Sequence, residues 1–296
     1  MTIQTIGHFF GSGVSNSSNF LLILRNNSRC MKGVKPKKAL GQHFLTDLGV
    51  AERIAATLDD YRGVPLLEVG PGMGVLTRFL LERHPADMVS VAEIDTESID
   101  WLEANLTEPK PRIIAGDFLQ MDLNEIFPGE EPFCVIGNYP YNISSQIFFK
   151  VLDYRDRVVC CSGMLQREVA ERLAAPAGTK ARGILSVFLQ AYYDVKYLFT
   201  VSEHVFNPPP KVKSGVIKMV RNGVEHLPCD ERLFKAVVKT TFGQRRKTIR
   251  NSVRSLLPEG SVADGLPYSG LRPEQLTVEQ FIELTQAVSQ LRQPTA

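Results

Sequence analysis

Apolar residues along this chain predict short buried strands that alternate with amphipathic helices. Compact apolar runs are typical of buried strands, and they occur at residues 65–69, 88–94, 112–115, 133–136 and 157–161. Apolar positions at helical spacing flank these runs, at residues 51–58, 77–83, 98–106, 145–152 and 166–173. Alternation of the two patterns predicts βαβ units and a mostly parallel sheet, which is an α/β fold.

The pattern changes beyond residue 192. Two β-rich segments are separated by prolines 208–210, and helical spacing follows from residue 231 onward, with candidate helices at residues 233–241, 248–256 and 278–291. We therefore predict an α/β domain with a basic amino-terminal segment over residues 31–205, followed by a smaller, mainly helical domain over residues 206–296. Ala, Pro and Gly in residues 175–183 predict a mobile loop close to the functional site.

The net charge of +2 conceals an uneven distribution. Residues 1–46 contain six Lys or Arg and no acid, residues 47–205 contain 14 against 24 acids, and residues 206–257 contain 12 against three. An acidic body between two basic segments indicates a polyanionic partner, although a run of charge is also compatible with a solvated surface. We expect the acid-free residues 1–30 to be a disordered extension or to precede a start at Met31; an organelle transit peptide is the third alternative.

Cysteine usage and hydropathy indicate a cytoplasmic protein without a membrane segment. The five cysteines form no CxxC pair, and two of them lie in apolar, strand-like runs, which favours buried reduced thiols. The apolar residues 19–24 are too short to span a bilayer.

Candidate ligand-binding residues follow three successive predicted strands. The glycine-rich sequence at residues 68–74 permits a tight turn and close approach of a ligand. Glu93 lies 23 residues after Gly70, where a carboxylate can accept the ribose hydroxyls of a nucleoside. Asp95 competes for that role but is further from the apolar run. Asp117 follows the third strand and can accept a hydrogen bond from an adenine amine. The loop lacks the six-residue glycine fingerprint of a pyrophosphate site, so we expect S-adenosylmethionine rather than a dinucleotide.

The fourth predicted strand ends in Asn138, Tyr139, Pro140 and Tyr141. An Asn side chain can accept a hydrogen bond from an exocyclic amine, and the residue before a proline is extended, so the Tyr139 carbonyl can point into the same cavity. The Tyr141 ring can stack on a base. These four residues resemble the Asn/Asp-x-Pro-Tyr/Phe motif of amino-directed adenine methyltransferases; a turn with a packed aromatic is the alternative.

Taken together, the ordered motifs resemble the ribosomal RNA adenine dimethyltransferase family, most closely the small-subunit type, from about Met31 to the carboxyl terminus. The likeness is carried by residues 38–45 (KALGQHFL), 68–72 (EVGPG), 93–95 (EID), 116–117 (GD), 138–144 (NYPYNIS), 205–212 (VFNPPPKV) and 242–247 (FGQRRK). The resemblance implies a Rossmann-like class I S-adenosylmethionine-dependent methyltransferase domain. It also implies that one set of residues lines the cofactor site: His43, Leu45, Gly70, Glu93, Asp117 and Asn138.

This chain departs from the family pattern at two positions. His43 stands where Asn is usual, and Tyr139 where Leu or Ile is usual. An imidazole can still donate or accept one hydrogen bond, so we expect His43 to keep a cofactor contact that is sensitive to pH. Tyr139 is expected to act through its backbone carbonyl, and its side chain has no assigned purpose.

The RNA-binding residues are predicted from charge and from the resemblance. Phe206 alone indicates a core aromatic, but the resemblance implies a second stacking face for the target base. Arg246, Arg250 and Arg254 recur every four residues and predict one basic stripe along a helix. The full predicted set, which could also be a solvated surface, is Lys37, Lys38, Arg245, Arg246, Lys247, Arg250 and Arg254.

The resemblance implies an enzyme that transfers methyl groups to N6 of two adjacent adenines in small-subunit ribosomal RNA, alone or in an immature small subunit. The chemistry requires neither a metal nor a covalent nucleophile, and we expect a monomer. A large-subunit adenine methyltransferase of the antibiotic-resistance type is the nearest alternative. A non-catalytic nucleic-acid-binding assembly or transcription factor on the same fold is another, and a DNA adenine methyltransferase is less favoured.

Overall fold

The computed structural model describes residues 33–259 and 263–292. The predicted disordered extension over residues 1–30 lies outside the described residues. The described residues from Pro36 onward form one compact unit. None of the helices in the described parts of the chain is long and apolar enough to cross a membrane.

Seven strands form one mixed sheet, and two short strands form a second. The strands in the described residues are β1 (Phe44–Leu45), β2 (Leu66–Val69), β3 (Val89–Glu93), β4 (Arg112–Ala115), β5 (Phe133–Asn138), β6 (Val158–Gln166), β7 (Tyr193–Val201), β8 (Phe206–Asn207) and β9 (Ser214–Arg221). The large sheet has the order β4-β3-β2-β5-β6-β9-β7, and β1 pairs with β8. Strands β2 to β6 are parallel, whereas β9 runs antiparallel to both of its neighbours. The parallel part confirms the predicted α/β architecture.

Helices connect the strands and form most of the carboxyl-terminal part. They are α1 (Leu48–Ala55), α2 (Val75–Arg83), α3 (Thr96–Asn105), α4 (Leu123–Ile126), α5 (Ser144–Asp153), α6 (Arg167–Ala174), α7 (Ile184–Gln190), α8 (Glu231–Gly243), α9 (Ile249–Ser252) and α10 (Val278–Arg292). Four of them begin after an Asp whose side chain accepts a first-turn N–H: Asp47, Asp95, Asp122 and Asp230. Such caps satisfy N–H groups that have no partner within the helix, so they fix where each helix starts.

The central strands are apolar on both faces because helices cover both sides of the sheet. In β2, Leu66 packs in one buried cluster and Leu67 in the other, and the same alternation places Phe133 and Cys134 of β5 on opposite faces. Each fully buried Leu or Phe contributes on the order of 1.5–3 kcal/mol. This explains why the strands read as continuous apolar runs, and it leaves their carboxyl ends as the open edge of the sheet.

The carboxyl-terminal half departs from the sequence prediction in three ways. The strand β9 lies inside the large sheet, so that sheet continues beyond the domain boundary predicted at residue 205; the division into two domains itself stays a prediction. The predicted helix over residues 248–256 is wrong, because only α9 and a separate 3-10 turn, Arg254–Leu256, form there. Residues 175–183 do not border the cavity described below, and Gly178 N–H donates to the Glu274 carbonyl instead.

Candidate active site

A cavity opens at the carboxyl ends of β2, β3, β4 and β5, where parallel sheets bind ligands. Its empty volume, including the open mouth, is about 950 Å³. All six residues predicted to contact the cofactor lie around this one cavity: His43, Leu45, Gly70, Glu93, Asp117 and Asn138. Tyr139, Pro140 and Tyr141 also line it.

The glycine-rich turn after β2 forms one wall of the cavity. Gly70 and Gly72 have φ of 71° and 55°, in the left-handed region that favours glycine. A Cβ on Gly72 would lie 2.9 Å from the Phe44 ring. Phe44 belongs to the arm, which we define as residues 37–45. The absence of a side chain at Gly72 therefore lets the arm pack directly on this turn.

Glu93 is buried at the end of β3, where its carboxylate is held by backbone N–H groups. It accepts from Gly72 (3.0 Å), Ile94 (2.9 Å) and Asp95 (3.0 Å). Burial raises the pKa of Glu93, although these three bonds oppose the shift. A carboxylate offers about four acceptor positions, so this arrangement leaves room for about one further hydrogen bond from a ribose hydroxyl.

Asp95, the competing candidate, does not line the cavity. Its carboxylate accepts from Lys37, Gln42 and Ser98, and it caps α3. The geometry therefore favours Glu93 as the ribose-binding carboxylate.

Two further residues of the cavity were missed by the sequence analysis. Glu68 is buried, and the Thr77 hydroxyl donates to it at 2.6 Å. Burial raises the pKa of Glu68 to about 8, so its carboxyl is mainly protonated at neutral pH. Ile94 lines the cavity and is 49% exposed. Its side chain therefore offers an apolar surface on which a flat base can lie. Two sequence signals could have identified these residues: a Glu inside an apolar strand, and an Ile directly after Glu93.

Asn138 ends β5 with its amide group oriented by the arm. Its side-chain N–H donates to the His43 carbonyl at 3.0 Å. The amide oxygen therefore faces away from that bond and is available as an acceptor. The Asn138 side chain thus joins the arm to the sheet.

The Tyr139 side chain, which had no assigned purpose, runs back into the core. Its hydroxyl donates to the Ser162 carbonyl at 2.6 Å, and its ring meets Phe148 edge-on with centroids 5.5 Å apart. A Cβ on Gly163 would lie 2.6 Å from this ring, and one on Gly137 would lie 3.1 Å from it. The paired glycines of β5 and β6 therefore make room for the ring, which braces Tyr139 from behind.

His43 and Tyr141 form a stacked pair at the mouth of the cavity. Their ring centroids are 5.5 Å apart at an interplanar angle of 30°. Since a carbonyl only accepts, His43 Nδ1 carries the hydrogen that it donates to the Pro208 carbonyl at 2.8 Å. The Tyr141 hydroxyl shares a hydrogen bond of 2.5 Å with Ser214. Tyr141 is therefore held at its ring and at its hydroxyl.

Phe206 is not brought to the cavity in this structure. It pairs with Leu45 between β8 and β1, is only 4% exposed, and packs in a buried cluster. Its role as a stacking face stays a prediction, and the ring would have to leave the core to meet a base.

The predicted basic residues fall into two groups. Lys37 contacts Asp95 and Glu97, Arg250 lies 3.3 Å from Asp264, and Arg245 pairs with Glu274 at 3.8 Å and donates to the Lys180 carbonyl. The other group is exposed and has no side-chain partner within the described ranges: Lys38, Arg246, Lys247 and Arg254. The expected stripe on one helix is wrong because residues 245–254 span a turn, α9 and a 3-10 turn.

The residues around the cavity fit S-adenosylmethionine. Glu93 has a free acceptor position, the glycine turn leaves space beside it, and Ile94 offers an apolar surface. With the strand order, this defines a Rossmann-like class I S-adenosylmethionine-dependent methyltransferase.

Comparison with known proteins identifies the family. Residues 33–287 match the family described as ribosomal RNA adenine dimethylase. A Ribosomal RNA small subunit methyltransferase A from Parabacteroides distasonis is 65% identical over 255 residues, covering 86% of this chain and 94% of the relative. A protein of the same name from Porphyromonas gingivalis is 58% identical over 260 residues, covering 88% and 100%. The chain therefore belongs to the ribosomal RNA adenine dimethylase family.

Solved structures support the same fold. A dimethyladenosine transferase from Plasmodium falciparum has a TM-score of 0.69 at 22% identity and covers 84% of this chain and 98% of its own. The 23S rRNA methyltransferase ErmE has a TM-score of 0.63 at 25% identity and covers 83% and 99%. The family, the enzyme class and the S-adenosylmethionine cofactor predicted from the sequence are confirmed.

Proposed function

We propose that this enzyme transfers methyl groups from S-adenosylmethionine to N6 of two adjacent adenines in small-subunit ribosomal RNA, during maturation of the small subunit. The names of relatives that are 65% and 58% identical support the small-subunit substrate. Such a substrate favours a cytoplasmic location. We expect the enzyme to act as a monomer, which sedimentation of the full chain would test.

The observation that carries the proposed site is the orientation of Asn138. Its N–H group is occupied by the His43 carbonyl, so its oxygen is the atom left to accept a hydrogen bond from an adenine amine. The Tyr139 N–H donates to the Met164 carbonyl at 2.9 Å, which continues the β5–β6 pairing as far as the motif. This hydrogen bond therefore fixes the backbone where the motif of residues 138–141 begins.

Bound S-adenosylmethionine supplies an electrophilic methyl group on a positively charged sulfur. The exocyclic amine of adenine is a poor nucleophile because its lone pair is delocalised into the ring. Hydrogen bonds to the Asn138 oxygen and the Tyr139 carbonyl would favour a tetrahedral nitrogen whose lone pair faces the methyl carbon. With the donor bound, the nitrogen–carbon bond would form as the sulfur–carbon bond breaks, and the amine proton would pass to solvent. Positioning of this kind can lower a barrier by roughly 7–11 kcal/mol.

The target base must leave its stack before it can enter the cavity, which costs a few kcal/mol. Tyr141 would stack on the extruded base and recover roughly 1–3 kcal/mol. His43, packed against the Tyr141 ring at 5.5 Å, would keep that ring in place.

The proposal is tested by incubating the purified protein with S-adenosylmethionine and small subunits that lack the modification. Mass spectrometry should detect N6,N6-dimethyladenosine at two adjacent positions of the small-subunit RNA. Modification of large-subunit RNA alone would favour the antibiotic-resistance type instead. Absence of transfer to either subunit, together with retained RNA binding, would favour a non-catalytic nucleic-acid-binding protein.

A further inference from the structure

Contacts between charged and amide side chains attach the arm to the start of α3. Lys37 Nζ lies 2.5 Å from an Asp95 carboxylate oxygen and 3.2 Å from Glu97. The Gln42 side-chain N–H donates to the second Asp95 oxygen at 3.0 Å. Both ends of the short segment from Lys37 to Gln42 are therefore bound to the same carboxylate.

A hydrogen bond also joins the two ends of the arm segment from Lys37 to Gln42. The Lys37 backbone N–H donates to the Gln42 side-chain oxygen at 2.8 Å. Gly41, at φ 64°, packs so closely on Asn142 that a Cβ would lie 2.6 Å from its side-chain oxygen. These contacts fix the conformation in which the arm continues into β1.

This conformation places the following residues of the arm around the cavity. Residues 40–45 all line it, and Phe44 packs on the glycine turn at Gly72. Lys37 and Asp95, by contrast, do not line the cavity: Asp95 is buried behind Glu93, and its backbone N–H donates to the Glu93 carboxylate. Lys37 and Asp95 would therefore act on the cofactor through other residues.

The structure separates two neighbouring lysines that the sequence analysis treated alike. Lys37 and Lys38 were both predicted to bind RNA, yet only Lys37 is engaged within the protein. Lys38 is exposed and has no side-chain partner among the described residues. Of these two lysines, Lys38 is the one whose ammonium group is free for a phosphate.

We propose that Lys37 and Gln42 are positioning residues for the cofactor site, which hold the arm over the cavity through Asp95 and thereby limit the release of the methyl donor. This inference rests on the proposed assignment of the cavity to S-adenosylmethionine. Each dimethylated adenine consumes two methyl donors, so the spent donor must leave between transfers. Opening of the Lys37–Asp95 contact would accompany that exchange.

The inference is tested with Lys37→Met and its matched control Lys38→Met in the full chain. Stopped-flow measurement should show S-adenosylmethionine dissociating about tenfold faster from Lys37→Met, because a charge-assisted hydrogen bond is lost. The KM for the donor should rise while kcat at saturating donor stays within about twofold. Lys37→Arg should restore most of the slow dissociation. Lys38→Met should leave dissociation unchanged and weaken RNA binding.

Hydrogen exchange gives a second readout that a general loss of stability would not mimic. With S-adenosylmethionine bound, the amides of residues 40–45 should exchange faster in Lys37→Met, whereas the amides of β5 should not change. An unchanged donor dissociation rate with weakened RNA binding in Lys37→Met would overturn the inference and make Lys37 a phosphate contact.

Glu93→Ala separates failure of this inference from failure of the proposed site. If Glu93→Ala loses donor affinity and Lys37→Met does not, the inference alone is wrong. If both variants bind the donor like the wild type, the assignment of the cavity is wrong and the inference falls with it.

Discussion

The cavity at the strand ends and the helical region over residues 231–292 expose different kinds of surface. Around the cavity, residues far apart in sequence meet because each follows a parallel strand, and each is held by backbone bonds, as Glu93 is. In the described part of the helical region, basic residues close in sequence separate into unpaired ones and paired ones, such as Arg246 and Arg250. Sheet topology therefore predicts which residues meet in a site more reliably than periodicity along a helix does.

The difference has a physical cause. A parallel sheet brings every strand's carboxyl end to the same edge, so a residue's position after a strand predicts its neighbourhood. A stripe of charges requires an unbroken helix and the absence of acidic partners from elsewhere in the chain. Both conditions fail between Arg245 and Arg254, because the helix is interrupted and Asp264 and Glu274 supply partners.

The largest effect is expected at the strand ends, from Asn138→Ala. Loss of the amide oxygen should lower kcat by roughly 10²–10³-fold, similar to removal of one positioned hydrogen-bonding group in other active sites. RNA binding should remain largely intact. Asn222→Ala, an exposed amide directly after β9 and outside the cavity, is the matched control for single-turnover methylation assays. An Asn138→Ala variant with normal kcat would remove the amide from the mechanism and weaken the contrast between the two regions.

The next effect concerns Glu68, whose pKa is raised to about 8 by burial. Between pH 5 and 8 the folded state keeps a proton that the unfolded chain loses, so the free energy of unfolding falls as pH rises. This one group contributes a slope of up to about 1.4 kcal/mol per pH unit, which Glu68→Gln should remove. Urea unfolding at several pH values measures it, and Glu103→Gln on the exposed side of α3 controls for loss of a surface charge. Equal slopes in wild type and Glu68→Gln would contradict the assigned protonation.

A smaller effect is expected from Tyr139→Phe. The change keeps the ring above Gly163 but removes the donor to the Ser162 carbonyl. Loss of this buried hydrogen bond should lower the free energy of unfolding by about 0.5–1.5 kcal/mol, measured by urea denaturation. Tyr141→Phe, which removes the more accessible hydroxyl bonded to Ser214, provides the comparison. If Tyr139→Phe is as stable as the wild type, the hydroxyl does not brace the motif.

The smallest effect is expected in the helical region. Arg246→Ala should weaken RNA binding and reduce the slope of log affinity against log salt by about 1, as expected for one phosphate contact. Arg250→Ala should have a smaller effect on RNA binding and on this slope, because Asp264 already lies 3.3 Å from the Arg250 guanidinium group. Filter binding at several salt concentrations compares the two. Equal losses would mean that RNA displaces Asp264, and the distinction between paired and unpaired arginines would then not govern binding.

The sequence predicted the strand-end site because the information there is local. Gly70, Glu93, Asp117 and Asn138 each follow an apolar run, so their meeting at one cavity required only the rule for parallel sheets. The position of β9 between β6 and β7 could not be predicted, since antiparallel insertion depends on a pairing between distant segments.

Other features depended on partners that periodicity does not reveal. Lys37 appears in the sequence as one of several exposed lysines, and only the fold brings it to Asp95, 58 positions along the chain. To predict the role of the Tyr139 side chain, one likewise needs to know that Gly137 and Gly163 lie side by side. Single residues could be assigned from motifs, whereas the contacts that support them could not.

The insertion of β9 also orders the assembly of the sheet during synthesis. Within the described residues, β7 pairs only with β9, which is translated after it. When β7 leaves the ribosome, its hydrogen-bonding partner has not yet emerged, although β2 to β6 can already pair in succession. The last edge of the sheet closes only after Arg221 has emerged, so the nascent chain carries one unpaired strand for the time needed to translate residues 202–221.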